Sequence, residues 1–305
     1  MRYTRVMLTR HSHKGLVWID LESPSQDELR KIATDYHLNP LVVHELSSPT
    51  LKPKVDLYRD YAYLILHFPQ GKRGNGQNLR DLEIDFVLGK KFLITVRHGM
   101  SDVFHLFGKI FDANAALDKE RLGAHAGFVF FHLLSQLYES LHHELGSIRE
   151  ALREIEQRIF DGEEREMVLS LSRVSRDLLD FSRSVSLHRD VLESFEIAGR
   201  TLFGTDFAFH LRTLVGEYTR VKHALLSNEE SLKSFALSVD STPQWWLPMD
   251  LANELSFCEK NIGKIAGRFA GHPAFYAWYI SQEITHCRHD PKAVEYIDGL
   301  FSGLV

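Results

Sequence analysis

Three acidic residues at alternate positions, Asp81, Glu83 and Asp85 in the run "RDLEIDFVLG", form the first group whose spacing could do chemistry. On a strand, alternation puts all three on one face, where a bound cation or a basic neighbour would relieve their mutual repulsion. Carboxylate oxygens suit a hard divalent ion that keeps part of its water shell. The competing reading is an exposed acidic face with Lys90 or Lys91 nearby. Glu217, in "HLRTLVGEY", is a further candidate ligand, carried on a helix.

His286, Cys287, His289 and Asp290 are the densest set of potential ligands, and a thiolate with two imidazoles suits zinc. Their spacing matches no zinc motif, and adjacent side chains on a helix diverge. His142 and His143 in "LHHEL" point to different faces and lack the second histidine of the metalloprotease helix. Asp161, Glu163, Glu164 and Glu166 gather at a helix start, where negative charge complements the dipole without any ligand. No nucleophile elbow or dinucleotide fingerprint occurs, and "GKRGNG" follows a strand without opening a helix, so the reading is of a non-enzyme.

Thirty-six basic against 41 acidic residues in a chain of 305 give a net charge of −5, so no global field draws the chain to nucleic acid. Cys258 and Cys287 are too few for a disulfide framework. The start "MRYTRVMLTRHSHKG" lacks a signal-peptide core, and a cytoplasmic, reducing location is expected.

The elements that must position these residues fall into two kinds. Leu16 to Leu21 reads as a strand entering a helix, with Ser23 as cap, Pro24 in the first turn and Gln26 completing a capping box. "LKPKVDLYRDYAYLILHFP" predicts a strand pair or one bent strand. "RDLEIDFVLGKKFLITVRHG" predicts a hairpin turning at Gly89-Lys90, and "SDVFHLFGKIFDAN" a helix. The mixture predicts an α/β domain over residues 1–118. Beyond it, Leu134, Tyr138, Leu141, Leu145, Ile148, Leu152, Ile155 and Ile159 step by four and three, a heptad seam. Met167 through Val185, His188, Leu192 and Phe195 continue a second seam, and Leu211 through Asn228 to Val239 a third. These predict long, bundled antiparallel helices over 119–240, with Asn228 either fixing register from inside or facing solvent. The fold class is therefore α+β, with residues 241–305 as a separate helical segment.

"VWIDLESPSQDEL", "NPLVVHEL", "LKPKVDLYRDYAYLILHF", "LEIDFVLGKKFLITVR" and "EIEQRIFDGEEREMVLSLSRVSRDLLDFSRSVSLHRDVLESF" occur in that order. Together they resemble the cytosolic part of the CorA family of divalent-cation channels. The resemblance implies magnesium as the transported ion, a cytosolic α/β domain, a stalk helix, two membrane helices and a homopentamer around one pore. Divalent ions bound between cytosolic domains would hold that pore closed. On this resemblance Asp81, Glu83, Asp85 and Glu217 are the candidate Mg2+ ligands. The family's regulatory stalk carboxylate has no aligned acidic counterpart in "HLRTLVGEY", which offers Thr213 and Glu217.

The family's membrane position is occupied by different chemistry. Where Gly-Met-Asn would close the first membrane helix, the chain has Gly267-Arg268-Phe269. Leu251 to Ala270 contains Glu254, Glu259, Lys260, Lys264 and Arg268, each costing about 2.5–3.5 kcal/mol near the centre of a spanning helix. Leu251, Leu255, Cys258, Ile262, Ile265 and Phe269 instead form one apolar stripe, which predicts an amphipathic helix in water. "PAFYAWYIS" is too short to span, and "GLFSGLV" carries no lysine cluster. Trp245 and Trp246, between Pro243 and Pro248, are expected at a packed corner. The expectation is a CorA-like protein that binds divalent ions and self-associates without conducting; the alternative is a helical scaffold or metal-responsive regulator with no transport role.

Overall fold

Strand-forming runs in the first hundred residues meet in a six-stranded sheet of order β1-β2-β6-β5-β4-β3. The computed structural model describes residues 7–50, 52–70, 80–117, 125–161 and 164–240. The strands are β1 (Met7–His13), β2 (Leu16–Glu22), β3 (Lys54–Leu57), β4 (Tyr61–Gln70), β5 (Arg80–Gly89) and β6 (Phe92–Arg97). Only β2 and β6 pair in parallel; the other neighbours are antiparallel. The predicted hairpin joins β5 to β6 through Lys90 and Lys91, with Leu88 facing Leu93. The strand pair is β3 and β4, turning between Leu57 and Tyr61.

Both faces of the sheet are covered, which is why β4 and β5 read as near-continuous apolar runs. Ile19, Leu21, Tyr63, Ile65, Val87, Ile94 and Val96 pack under α1 (Gln26–Asp35) and α2 (Pro40–Leu46). On the opposite face Trp18, Leu64, Leu66, Phe86 and Leu93 join the core of α3 (Asp102–Ala116), α4 (Ala126–Phe160), α5 (Glu164–Val185), α6 (His188–Phe203) and α7 (Phe207–Asp240). One apolar cluster thus runs from the sheet into the bundle.

Two local readings change. The cap of α1 is Ser25, not Ser23: its hydroxyl accepts from the Glu28 amide, and the Glu28 carboxylate accepts from the Ser25 amide at 2.8 Å. Ser23 instead takes a left-handed backbone (φ 49°) and donates its amide to the Arg97 carbonyl at 2.8 Å, ending β2. The second seam is buried along its length, but the helix breaks into α5 and α6 at Ser186-Leu187. There the Ser186 amide and hydroxyl both turn to the Arg183 carbonyl, an alternative to continued helix. Asn228 faces inward, 1% exposed, and donates Nδ2 to the Leu145 carbonyl at 2.9 Å.

Among the described residues no helix is long and apolar enough to cross a membrane. The expectations for residues 241–305, including the amphipathic stripe, the Trp245-Trp246 corner and the zinc reading of His286, Cys287, His289 and Asp290, lie outside the described residues. Glu163 lies outside them as well.

Candidate functional site

Pairing of β4 with β5 sets His67 opposite Glu83 and Ile65 opposite Asp85, so the acidic alternation faces α2 rather than solvent. Asp81, opposite Pro69, is exposed at the strand end, while Glu83 and Asp85 are buried. The basic neighbour is His67, not Lys90 or Lys91. Glu83 Oε2 accepts from the Thr50 amide at 2.6 Å and from His67 Nε2 at 3.1 Å. His67 Nε2 also lies 3.0 Å from the Thr50 carbonyl. Carbonyl and carboxylate only accept, so this nitrogen carries the proton. Burial opposes the charged form of His67, but the Glu83 hydrogen bond, the Asp81 charge and the Thr50 carbonyl raise its pKa.

Asp85 Oδ1 accepts from the Tyr63 hydroxyl at 2.6 Å. Burial first, and then the charges of Glu83 and Glu45 against the opposing Tyr63 bond and His67, push the Asp85 carboxyl up to about 8. The shift favours the neutral acid. Glu83 Oε1 and Asp85 Oδ2 have no hydrogen-bond partner. Lys54 closes this corner, bridging Glu45 and Asp56 at 2.8 and 2.7 Å.

Glu217 stands apart from that strand, in the bundle on the other side of the sheet. It lines a cavity of about 290 Å³ between α4 and α7, with Ser135, Tyr138, Glu139, His142 and Arg220. Its Oε1 lies 3.7 Å from Arg220 Nη2; its Oε2 and Ser135 Oγ are buried without a partner. Asp81, Glu83 and Asp85 share one face, therefore, and Glu217 does not join them. Among the described residues no three histidine, cysteine or carboxylate groups are placed to hold a metal ion together. The carboxylates of Glu139 and Glu217 could hold a divalent ion only through retained waters or with ligands from elsewhere.

The two places are joined by a relay that the sequence reading did not contain. His188 is fully buried; its Nε2 donates to the His67 carbonyl at 2.7 Å, which leaves Nδ1 to accept from the Tyr138 hydroxyl at 3.0 Å. Burial pushes the His188 imidazole down to about 4, so it stays neutral. Thr50, Glu83, His67, His188 and Tyr138 thus form one polar path from the α2–β3 connection to the Glu217 cavity. A second buried network also escaped notice. Arg97 Nη2 pairs with Asp20 at 2.9 Å and Nη1 with Glu22 at 3.0 Å, while Thr95 donates to Asp20 and accepts from Trp18. Alternation of Trp18, Asp20 and Glu22 was the available signal.

A mixed sheet with a long-helix bundle on one face is a fold shared with solved CorA structures. The soluble domain of CorA from Methanocaldococcus jannaschii superposes with a TM-score of 0.68 at 16% identity, covering 78% of this chain and 99% of its own. The complete CorA magnesium transporter from the same organism gives 0.66 at 16% identity, covering 92% of this chain and 88% of its own. The cobalt/magnesium transport protein CorA of Thermotoga maritima is 20% identical over 179 residues, 58% of this chain and 50% of its own length. The chain spans about half the length of such curated relatives. A family model described as CorA-like Mg2+ transporter protein matches residues 13–241, and the chain belongs to that family.

Proposed function

We propose that this chain is a divalent-cation-sensing member of the CorA family, that it self-associates, and that it does not conduct ions. The observation that carries the sensing reading is the Glu217 carboxylate, one oxygen of which is buried and unpartnered beside a cavity large enough for a hydrated ion. A second copy, or retained water, completes the coordination of Mg2+ there, and family resemblance makes the assembly a pentamer. Asp81, at the exposed end of β5, is the member of the strand trio open to such an ion. Glu83 and Asp85 are committed as hydrogen-bond acceptors to His67, Thr50 and Tyr63 rather than to a metal ion.

The non-conducting half rests on the charges of Glu254, Glu259, Lys260, Lys264 and Arg268, which favour water over hydrocarbon for residues 251–270. With that segment in water, cytoplasmic residence follows. Two measurements test the two halves. Millimolar Mg2+ should change oligomer size or protease resistance of the wild-type chain, and E217Q should abolish that response. Fractionation of cells expressing the full chain should leave it in the soluble fraction; recovery only from detergent-extracted membranes overturns the non-conducting reading.

A further inference from the structure

The α4–α7 groove does not end at Glu217. A second cavity of about 420 Å³ adjoins the first, lined by His142, Arg149, Thr219, Arg220 and His223, and the two share His142 and Arg220. The first cavity holds the carboxylates of Glu139 and Glu217, whereas the second holds none: its charged or ionisable lining is two guanidiniums and two imidazoles. Some arginines of the bundle are paired along their own helix, as Arg153 with Glu150 and Arg189 with Glu193, while others, such as Arg173, have no ion pair among the described residues. Arg149 has no such partner among the described residues, and Arg220 reaches Glu217 only at 3.7 Å.

The helix backbones are also bare here. Gly146 stands on the face of α4 between His142 and Arg149, and Gly216 one turn before Arg220 on α7. A Cβ at either would meet nothing within 4 Å, whereas at Gly127 and Gly199 it would lie 2.9 Å from packed side chains. Glycine inside a helix destabilises it relative to alanine, and no packing contact explains these two. Neither lines the two cavities, but each leaves the helix surface bare beside residues that do, His142 and Arg149 on α4 and Arg220 on α7.

We propose that this groove binds a phosphate-bearing anion together with its divalent counter-ion. Phosphate oxygens lie on Arg149 and Arg220, whose planar guanidiniums match an oxyanion. The counter-ion lies toward Glu217, Glu139 and the unpartnered Ser135 hydroxyl. The cation half rests on the sensing reading of Glu217; the anion half does not.

Calorimetry on the full chain with inorganic tripolyphosphate separates them. Binding is expected in EDTA and should strengthen about tenfold in millimolar Mg2+. R149A/R220A should lose binding under both conditions, while E217Q should lose only the Mg2+ increment. G146A should raise the melting temperature yet weaken binding, an opposition that a folding defect cannot produce. Unchanged tripolyphosphate affinity in R149A/R220A overturns the proposal. Binding through the arginines without any Mg2+ effect removes the counter-ion and the sensing reading, and leaves the anion site standing.

Discussion

Asp85 and His188 titrate against each other. Asp85, raised to about 8 from 3.8 by burial, holds its proton in the folded chain and loses it in the unfolded one. Its contribution is fully present below pH 3.8 and declines by about 1.4 kcal/mol per pH unit up to pH 8. His188, lowered to about 4 from 6.5, acts in the opposite sense, since the unfolded chain takes up its proton first. Stability from His188 is lost as pH falls from 6.5 to 4. The two slopes oppose each other between about pH 4 and 6.5, with His125, also lowered by burial, adding to the His188 side; above pH 6.5 loss of the same sign from His67 joins the Asp85 slope. Urea unfolding of the wild-type chain should therefore weaken from pH 6.5 to 8. D85N, which keeps an acceptor for Tyr63, should flatten that decline and reveal the rise up to pH 6.5 that belongs to His188 and His125. A D85N profile parallel to wild type would show that Asp85 is ionised in the fold. Arg97 gives a prediction of the opposite kind. R97M leaves Asp20 buried without its counter-charge and should cost about 3–5 kcal/mol in chemical denaturation, far more than removing an exposed partner such as Arg153.

At the level of elements, the seams were readable because heptad spacing is a local property that fixes which side of a helix is apolar. Every member from Leu134 to Ile155 is buried as that spacing requires. The break at Ser186 was not readable, because the spacing runs straight through it and His188 is held by a carbonyl 121 residues earlier in the chain. The acidic strand shows the same division. Alternation fixes the shared face of Asp81, Glu83 and Asp85, but whether that face is wet depends on α2 and Thr50, which fold over it from elsewhere. Asn228 carries the element-scale prediction. Its Nδ2 donates to a carbonyl in mid-helix, while its Oδ1 is buried without a partner. The bond contributes little and the orphaned oxygen costs more, so N228L should raise stability by about 1 kcal/mol in denaturant melts. Should N228L instead change the oligomer size, Asn228 is retained to set register.

For the whole molecule, the decisive feature is that the sheet and the bundle share a core. Trp18, Leu64 and Phe86 of the sheet belong to the same apolar cluster as Phe130, Phe181, Phe195 and Leu214 of the helices. The His67–His188–Tyr138 bonds add a polar tie through the same interface. Neither layer can separate without exposing the buried side chains of the other, and apolar area costs about 25 cal/mol per Å² when returned to water. Residues 7–240 should therefore unfold as one cooperative unit. Trp18 is 1% exposed on β2 and reports the sheet, provided Trp245, Trp246 and Trp278 are replaced by phenylalanine. Helical circular dichroism reports mainly α4 to α7. In that variant the two signals should share one midpoint in urea, and both should move together in H188L, which breaks the tie. Tryptophan fluorescence that outlasts the helical signal, or precedes it, would mean that the sheet holds its structure independently, and any ion response at Glu217 would then have no mechanical route to the β4–β5 face.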